Sequence, residues 1–392
     1  MEARRGLIFT VKRELCKLRN LGTFAVMVTL FPLLSLLFMA ALFSRGVPND
    51  LPVAVVDNDG TVLSRQAARM IDAGQFVRLA ASAQSVDEAR QMMLQGRVDA
   101  VVVLPDDMER SVMRGERVTV PVFINGANLL VGSLIEKDIS TTLQTFSTGI
   151  EIQKLEAKGL SPDAALAASM PVTFNKHILF NPYTSYAYYI MPGFMSMMLF
   201  FFAVLSVVFS IGLELKRGTA RMWLSGADWS MGKALAGKML PYTIWFWLLS
   251  FLMMYLMYVR LDMPMNGSAT VMIIGNLLLV VAYQWMGVLI VSLTRGLRLG
   301  LSIAAGYSVL AFSFSGLTFP FIGMDGWIAF LGRALFPFTH YMDIFVDQSM
   351  RGAPVYCSLG NIAMLCLFII AGMASVPLLE RLCTDPRQWG RS

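Results

Sequence analysis

Residues 178–213 read ILFNPYTSYAYYIMPGFMSMMLFFFAVLSVVFSIGL, thirty-six residues without a single Asp, Glu, Lys or Arg. A helix needs about 20 mainly apolar residues to cross about 30 Å of hydrocarbon, so this stretch alone puts the chain in a membrane. Five more uncharged runs qualify: Leu21–Phe43, Met239–Val259, Met263–Thr294, Leu299–Met324 and Ala353–Leu379. The whole chain of 392 residues agrees, with 56% hydrophobic and only 15% charged residues, 28 Met and 26 Phe. Soluble domains carry about 25% charge; this chain has too little to wet a globule of its size, and it is too apolar to be disordered. The fold expected is an α-helical polytopic membrane protein with six transmembrane helices, which return both termini to one side. The first run is too long for a signal-peptide core and follows twenty other residues, so it is read as retained.

Charge gives the orientation. Residues 1–20, 214–238, Arg295 with Arg298, and 380–392 together sum to +10, whereas the connections at 260–262 and 325–351 sum to −1 and residues 44–177 to −3. Positive loops stay cytoplasmic, so both termini are expected inside and 44–177 outside. The net charge of +6 is thus a topology signal, and no basic stripe interleaved with aromatics points to nucleic acid. Cys16, Cys357, Cys366 and Cys383 form no CxxC pair, and His177 and His340 are the only histidines. Neither a disulfide framework nor a metal site is expected.

Four regions follow: a basic amphipathic N-terminus at 1–20, a first span at 21–43, a mixed α/β external domain at 44–177 inserted between helices 1 and 2, and a five-helix membrane domain at 178–392. In the insert, 52–56, 76–80, 98–104 and 118–124 read as strands, with a turn at Asp57-Asn-Asp-Gly60. Helices are expected over 63–73, 86–94 (Ser85 as N-cap, Glu88 three residues on), 106–114 and 128–158, with another after Ser161.

Two segments of the membrane domain stand out. Residues 214–238 are basic and amphipathic, with Met222, Trp223, Leu224 and Trp229 on a partly apolar face; they read either as positive-inside anchoring or as a docking helix for a cytoplasmic partner. Glu214 is expected to begin the cytoplasmic segment, paired with Lys216 or Arg217, capping the helix start, or meeting a partner's basic group. Of two near-matches to nucleotide-binding motifs, Gly226–Lys233 has five residues in place of four between its glycines and Ala234 where a Ser or Thr is needed, and Leu224–Asp228 has the wrong last two residues; no loop is large enough to be an ATPase. Residues 317–341 are apolar yet punctuated by Pro320, Gly323, Gly326 and Pro337. They read as a re-entrant hairpin with a short helix over 326–335, or as a long loop. Within the spans, Asn276, Tyr283 and Gln284 either glue helices or touch a substrate. No ionisable group is expected deep in a span, which argues against an ion-coupled carrier and against an intramembrane hydrolase.

Taken in order, these features resemble the type-2 ABC-transporter permeases: the basic N-terminus, LPVAVVDNDGTVLSR at 51–65 with EARQMMLQGRVDAVVVLPDD at 88–107, Glu214-x3-Gly218-Thr219 with GKMLP at 237–241, and SGLTFP at 315–320 with FPFTHY at 336–341. The likeness is to the subfamily with a large external domain; ADWS at 227–230 departs where a Pro is frequent. The resemblance implies a bacterial inner-membrane exporter of a hydrophobic or amphipathic substrate, energised by separate cytoplasmic ATPase subunits that hold the ATP and magnesium. Glu214, Lys216, Arg217, Gly218, Thr219, Arg221, Met222 and Leu224 then correspond to an ATPase-coupling helix. Pro320, Trp327, Phe330, Arg333 and Pro337 correspond to an outer gate, with Arg333 in reach of Asp343 or Asp347, and Asn276, Tyr283 and Gln284 are possible path residues. A second permease, identical or sister, is implied, and related systems work with a periplasmic adaptor and an outer-membrane channel. The other classes are a membrane-anchored receptor whose external domain binds a ligand, and an ion-coupled efflux carrier.

Overall fold

The computed structural model describes residues 6–44, 46, 48–170, 177, 179–181 and 185–389. The start of the predicted N-terminal segment (1–5), 171–176 of the insert, and 178 and 182–184 of the quoted run lie outside the described residues. The chain forms two compact units, Met1–Gly46 with Ile178–Ser392, and Val47–His177.

The membrane unit begins with α1 (Leu7–Asn20) and α2 (Gly22–Leu42), the latter tied to the third long helix by Trp245 Nε1, which donates to the Val28 carbonyl at 2.9 Å.

The inserted unit holds β1 (Leu51–Asp57), α3 (Val62–Asp72), β2 (Val77–Ala83), α4 (Val86–Leu94), β3 (Ala100–Leu104), α5 (Met108–Arg114), β4 (Val122–Ile124), α6 (Leu129–Ala157) and α7 (Pro162–Ser169). The sheet order is β2-β1-β3-β4, parallel except for the antiparallel β4. Alternate residues of β1 and β3 serve two cores: Val53, Val55, Ala100 and Val102 pack with Ile71 and Ile135 on one face, and Ala54, Val56, Val101 and Val103 with Ala89 on the other. Such near-continuous apolar strands are what a sheet buried on both faces requires. Thr61, Ser85, Asn128 and Ser161 cap α3, α4, α6 and α7 by accepting backbone N–H bonds. Asp138 of α6 collects the N–H groups of Gln75, Phe76 and Val77 at 3.2, 2.7 and 3.0 Å, fixing the start of β2. The strand expected over 118–124 shortens to three residues, which pair with Ala100–Val102; Pro121, directly before it, has no N–H to give to the ladder.

The membrane unit resumes with α8 (Tyr186–Arg217), α9 (Ala220–Gly226), α10 (Met231–Tyr255), α11 (Ala269–Thr294), α12 (Leu297–Ser313), α13 (Gly326–Leu335), α14 (Pro337–Phe345), α15 (Val355–Met373) and α16 (Val376–Thr384); π turns at Leu256–Arg260 and Val346–Arg351 follow α10 and α14. Five stretches are long and apolar enough to cross a membrane: Gly22–Leu42, Ala187–Arg217, Met231–Arg260, Ala269–Thr294 and Val355–Thr384. The expected sixth, over Leu299–Met324, is not one long helix. It stops after the 17 residues of α12, because Gly316 takes a positive φ and Pro320 cannot continue the ladder; a 3-10 turn at Phe321–Gly323 leads into α13. α14 starts at Pro337 with its first turn preset by the ring, and almost every residue in it is buried.

Candidate functional site

The face of α1 that packs inward carries Thr10, Arg13, Glu14 and Lys17, the i, i+3, i+4, i+7 spacing of one helical stripe. It meets the last turns of α8 and the first turns of α10. α8 continues unbroken past the apolar run through Arg217, so Glu214 falls one turn after Ser210 on the same face. α10, capped by Ser230, brings Lys238 and Tyr242 opposite. Gly237 lets the two backbones close: a Cβ there would lie 2.6 Å from Thr10 Cβ.

The result is a buried ionic cluster. Lys238 Nζ donates to Glu14 Oε2 at 3.0 Å, Glu214 Oε1 at 3.1 Å and Ser210 Oγ at 3.1 Å, and all three ionised side chains are at most 3% exposed. Arg13 Nη2 reaches Glu214 Oε2 at 2.8 Å and Lys17 Nζ reaches Glu214 Oε1 at 3.0 Å. Tyr242 donates to Glu14 Oε1 at 2.6 Å, Ser210 donates to the same oxygen, and Thr219 donates to Glu214. Two carboxylates thus sit among three cations, and every carboxylate oxygen has a donor. Burial raises the Glu14 carboxyl, but Lys238 and then Lys17 outweigh it and hold the group below its ordinary range. Burial, ahead of repulsion by Lys238, pushes the Lys17 ammonium down to about 8 against the pull of Glu14 and Glu214.

A short helix leans on this cluster. Gly218, in a left-handed conformation at φ 68°, ends α8 and turns the chain into α9. Ala220, Trp223 and Leu224 face inward. The Trp223 indole donates to the Ala234 carbonyl at 3.2 Å, and Lys238 Nζ sits 4.7 Å from its ring centroid. Arg221 and Met222 face out, with Arg221 near the exposed Trp229 ring, and Phe9 of α1 packs beside Gly226.

Several expected roles change here. Glu214 is 1% exposed and pairs with Arg13, Lys17 and Lys238, not with Lys216 or Arg217, because α8 extends a turn beyond the uncharged run. Leu224 is buried, while Lys216, Arg217, Arg221 and Met222 are exposed and Gly218 and Thr219 are half-buried. Ionisable groups do occur within membrane-length helices: Glu214 and Lys238 lie near the ends of two of them. Glu14, Lys238, Ser210 and Tyr242 were missed altogether. The stripe spacing on 7–20 was the signal for Glu14, a lone acid on an otherwise basic helix.

The remaining candidates lie elsewhere. Asn276, Tyr283 and Gln284 are fully buried between helices: Asn276 accepts from Tyr341 at 2.8 Å, Gln284 accepts from Thr243 at 2.7 Å, and Tyr283 stacks on Phe200 at 4.0 Å. At the opposite end of α8, Trp327 and Phe330 are 66% and 69% exposed, Pro320 precedes the 3-10 turn, and Pro337 opens α14. Arg333 pairs with Asp343 at 3.2 Å. Among the described residues no group of His, Cys, Asp or Glu is placed to hold a metal ion. A family model described as ABC-2 family transporter protein matches residues 23–374. No curated protein matches the sequence.

Proposed function

The chain belongs to the ABC-2 family of transporter permeases, the multi-pass membrane subunit of an ABC transporter, and from that membership we propose that it is the permease of an exporter driven by a separate ATPase through α9. The observation that carries the reading is the path from α9 inward. The outer face of α9 offers Arg221 and Met222, flanked by the exposed Lys216 and Arg217, for docking. Its inner face holds Trp223 against Lys238, whose ammonium joins α1, α8 and α10 in one polar knot. A push on α9 is therefore delivered to three helices together, which suits a device that changes which side of a pathway is open.

In this reading both termini and α9 lie in the cytoplasm, the chain sits in a bacterial inner membrane, and the inserted α/β domain is external. Two permeases, identical or sister, form the path. The ATP and magnesium belong to the ATPase, and the cargo is hydrophobic or amphipathic. A periplasmic adaptor and an outer-membrane channel complete the export route. The residues at 326–337 close the outer mouth.

Met222→Asp tests the docking. At 69% exposure, Met222 contributes little to folding, so the variant should accumulate and purify normally. It should lose co-purification with the ATPase, and with it ATP-driven transport. Full association and full transport by Met222→Asp would refute the proposal.

A further inference from the structure

At the hairpin end of the membrane unit lies a cavity of about 620 Å³, within the range of about 300–1,000 Å³ typical of sites for small organic ligands. Tyr188, Tyr189, Leu317, Phe321, Met342 and Phe345 supply apolar wall, and the charged groups are Arg333, Asp343, Asp347 and Arg351. The charges are not equivalent. Asp343 and Asp347 sit on the buried α14 and the π turn after it, with side chains 32% and 15% exposed, whereas their partners Arg333 and Arg351 are 47% and 59% exposed. Acid is fixed on the wall and base hangs over the opening.

Arg333 is itself bound as a ligand would be. Its guanidinium lies 3.2 Å from the Asp343 carboxylate and 4.8 Å from the centroid of the Phe321 ring. A carboxylate together with an aromatic face is the arrangement that recognises an organic cation. His340 holds the Arg333 backbone by a 2.9 Å hydrogen bond between Nε2 and its carbonyl, with Nδ1 against Asn361 Oδ1 at 3.0 Å. The side chain can therefore swing away without moving α13. Half-exposed ion pairs are weak, so the exchange of one cation for another is easy. An anion could meet Arg333 and Arg351 only at the opening, with the two carboxylates on the wall behind them. Burial raises the Asp343 carboxyl, and the nearby Asp347 pushes the same way, against the opposing pull of Arg333 and His340. The two carboxylates and the two arginines balance in number, but only the carboxylates are fixed on the wall.

We propose that this cavity binds an amphipathic organic cation, which takes the place of the Arg333 guanidinium between Asp343 and Phe321. The inference deepens the transport reading by naming a cargo class, and it rests on that reading only for the cation being carried.

The test uses the purified full-length chain without ATPase, and two probes of one shape and opposite charge, tetraphenylphosphonium and tetraphenylborate, followed by equilibrium dialysis. The phosphonium should bind, Asp343→Asn should weaken it about tenfold or more, and Arg333→Gln, which removes the tethered competitor, should tighten it severalfold. Borate binding should not respond to Asp343→Asn. Equal binding of both probes with no response to Asp343→Asn, or weaker phosphonium binding in Arg333→Gln, overturns the proposal. Should Asp343→Asn not fold, Arg333→Gln still decides by the sign of its effect. Binding that follows this pattern in a chain that carries nothing with its ATPase would refute the transport reading and leave the site standing.

Discussion

Replacing Lys238 by Met removes the cation that is hydrogen-bonded to both Glu14 and Glu214. Glu214 keeps Arg13 at 2.8 Å and Lys17 at 3.0 Å, so Glu14 is the group left exposed to the full effect. Its direct hydrogen-bond donors become the neutral hydroxyls of Tyr242 and Ser210. Both members of the Lys238–Glu14 pair are almost wholly buried, so solvent does not screen the loss. Breaking such a pair costs about 3–5 kcal/mol, and at about 1.4 kcal/mol per tenfold this raises the detached population of α1 by roughly two to three and a half orders of magnitude. The readout is a single cysteine at position 10, in a background where Cys16, Cys357, Cys366 and Cys383 are replaced. Thr10 is 2% exposed and packs on Gly237, so it is modified only when α1 lifts. Lys238→Met should speed labelling by that factor, and adding Glu14→Gln should recover most of the protection by neutralising the stranded charge. An unchanged rate in Lys238→Met, or no recovery in the double variant, would refute the account of the cluster.

The same reporter should respond to acid: Glu14 is held below its ordinary 4.5, so its contribution is complete above about that pH and is lost as pH falls through the folded value, with labelling rising accordingly. Lys17 acts in the same sense at higher pH, since a folded value of about 8 against an ordinary 10.5 means that stability again rises with pH across that window; a fall in α1 protection between those pH values would contradict it. Gly237→Ala forces a Cβ to within 2.6 Å of Thr10 Cβ and should cost about 1–3 kcal/mol of α1 docking, seen as faster proteolysis after α1. In the inserted unit, Asp138→Ala strands three N–H groups at the start of β2 and should cost about 2–4 kcal/mol, measured as lost protease resistance of residues 51–157 in the full-length chain.

The membrane-length helices and the order of helix and strand in the insert were legible in the sequence because each is signalled by neighbours in the chain. Ser85 followed by Glu88 announced α4, the five-residue apolar block at 100–104 announced β3, and the Gly and Pro at 326 and 337 framed α13. The ionic cluster had no such signature. Arg13 and Glu214 are 201 residues apart and Glu14 and Lys238 are 224 apart, and no local pattern says which of many terminal charges will meet. Glu214 was misjudged for a related reason: charge after an uncharged run looks like the start of a loop, yet α8 runs one turn further and turns that charge inward. The break in the fifth run had visible punctuation in Gly316 and Pro320, but an uncharged stretch of 26 residues satisfied the length rule regardless of where its helix ended.

Lys238 also sets an order of assembly. Lys238 cannot fasten α1 until the 224 residues that separate Glu14 from its counter-ion have left the ribosome, which takes about 10–45 s at about 5–20 residues per second. Through that interval α1 lacks the lysine that Glu14 pairs with, while the whole α/β unit is made. α1 is thus locked long after it is made. A product truncated before α10 leaves Glu14 without Lys238 and Tyr242 and holds α1 through its contacts with Ser210 and Glu214 of α8, so a loosely held α1 distinguishes unfinished chains from finished ones.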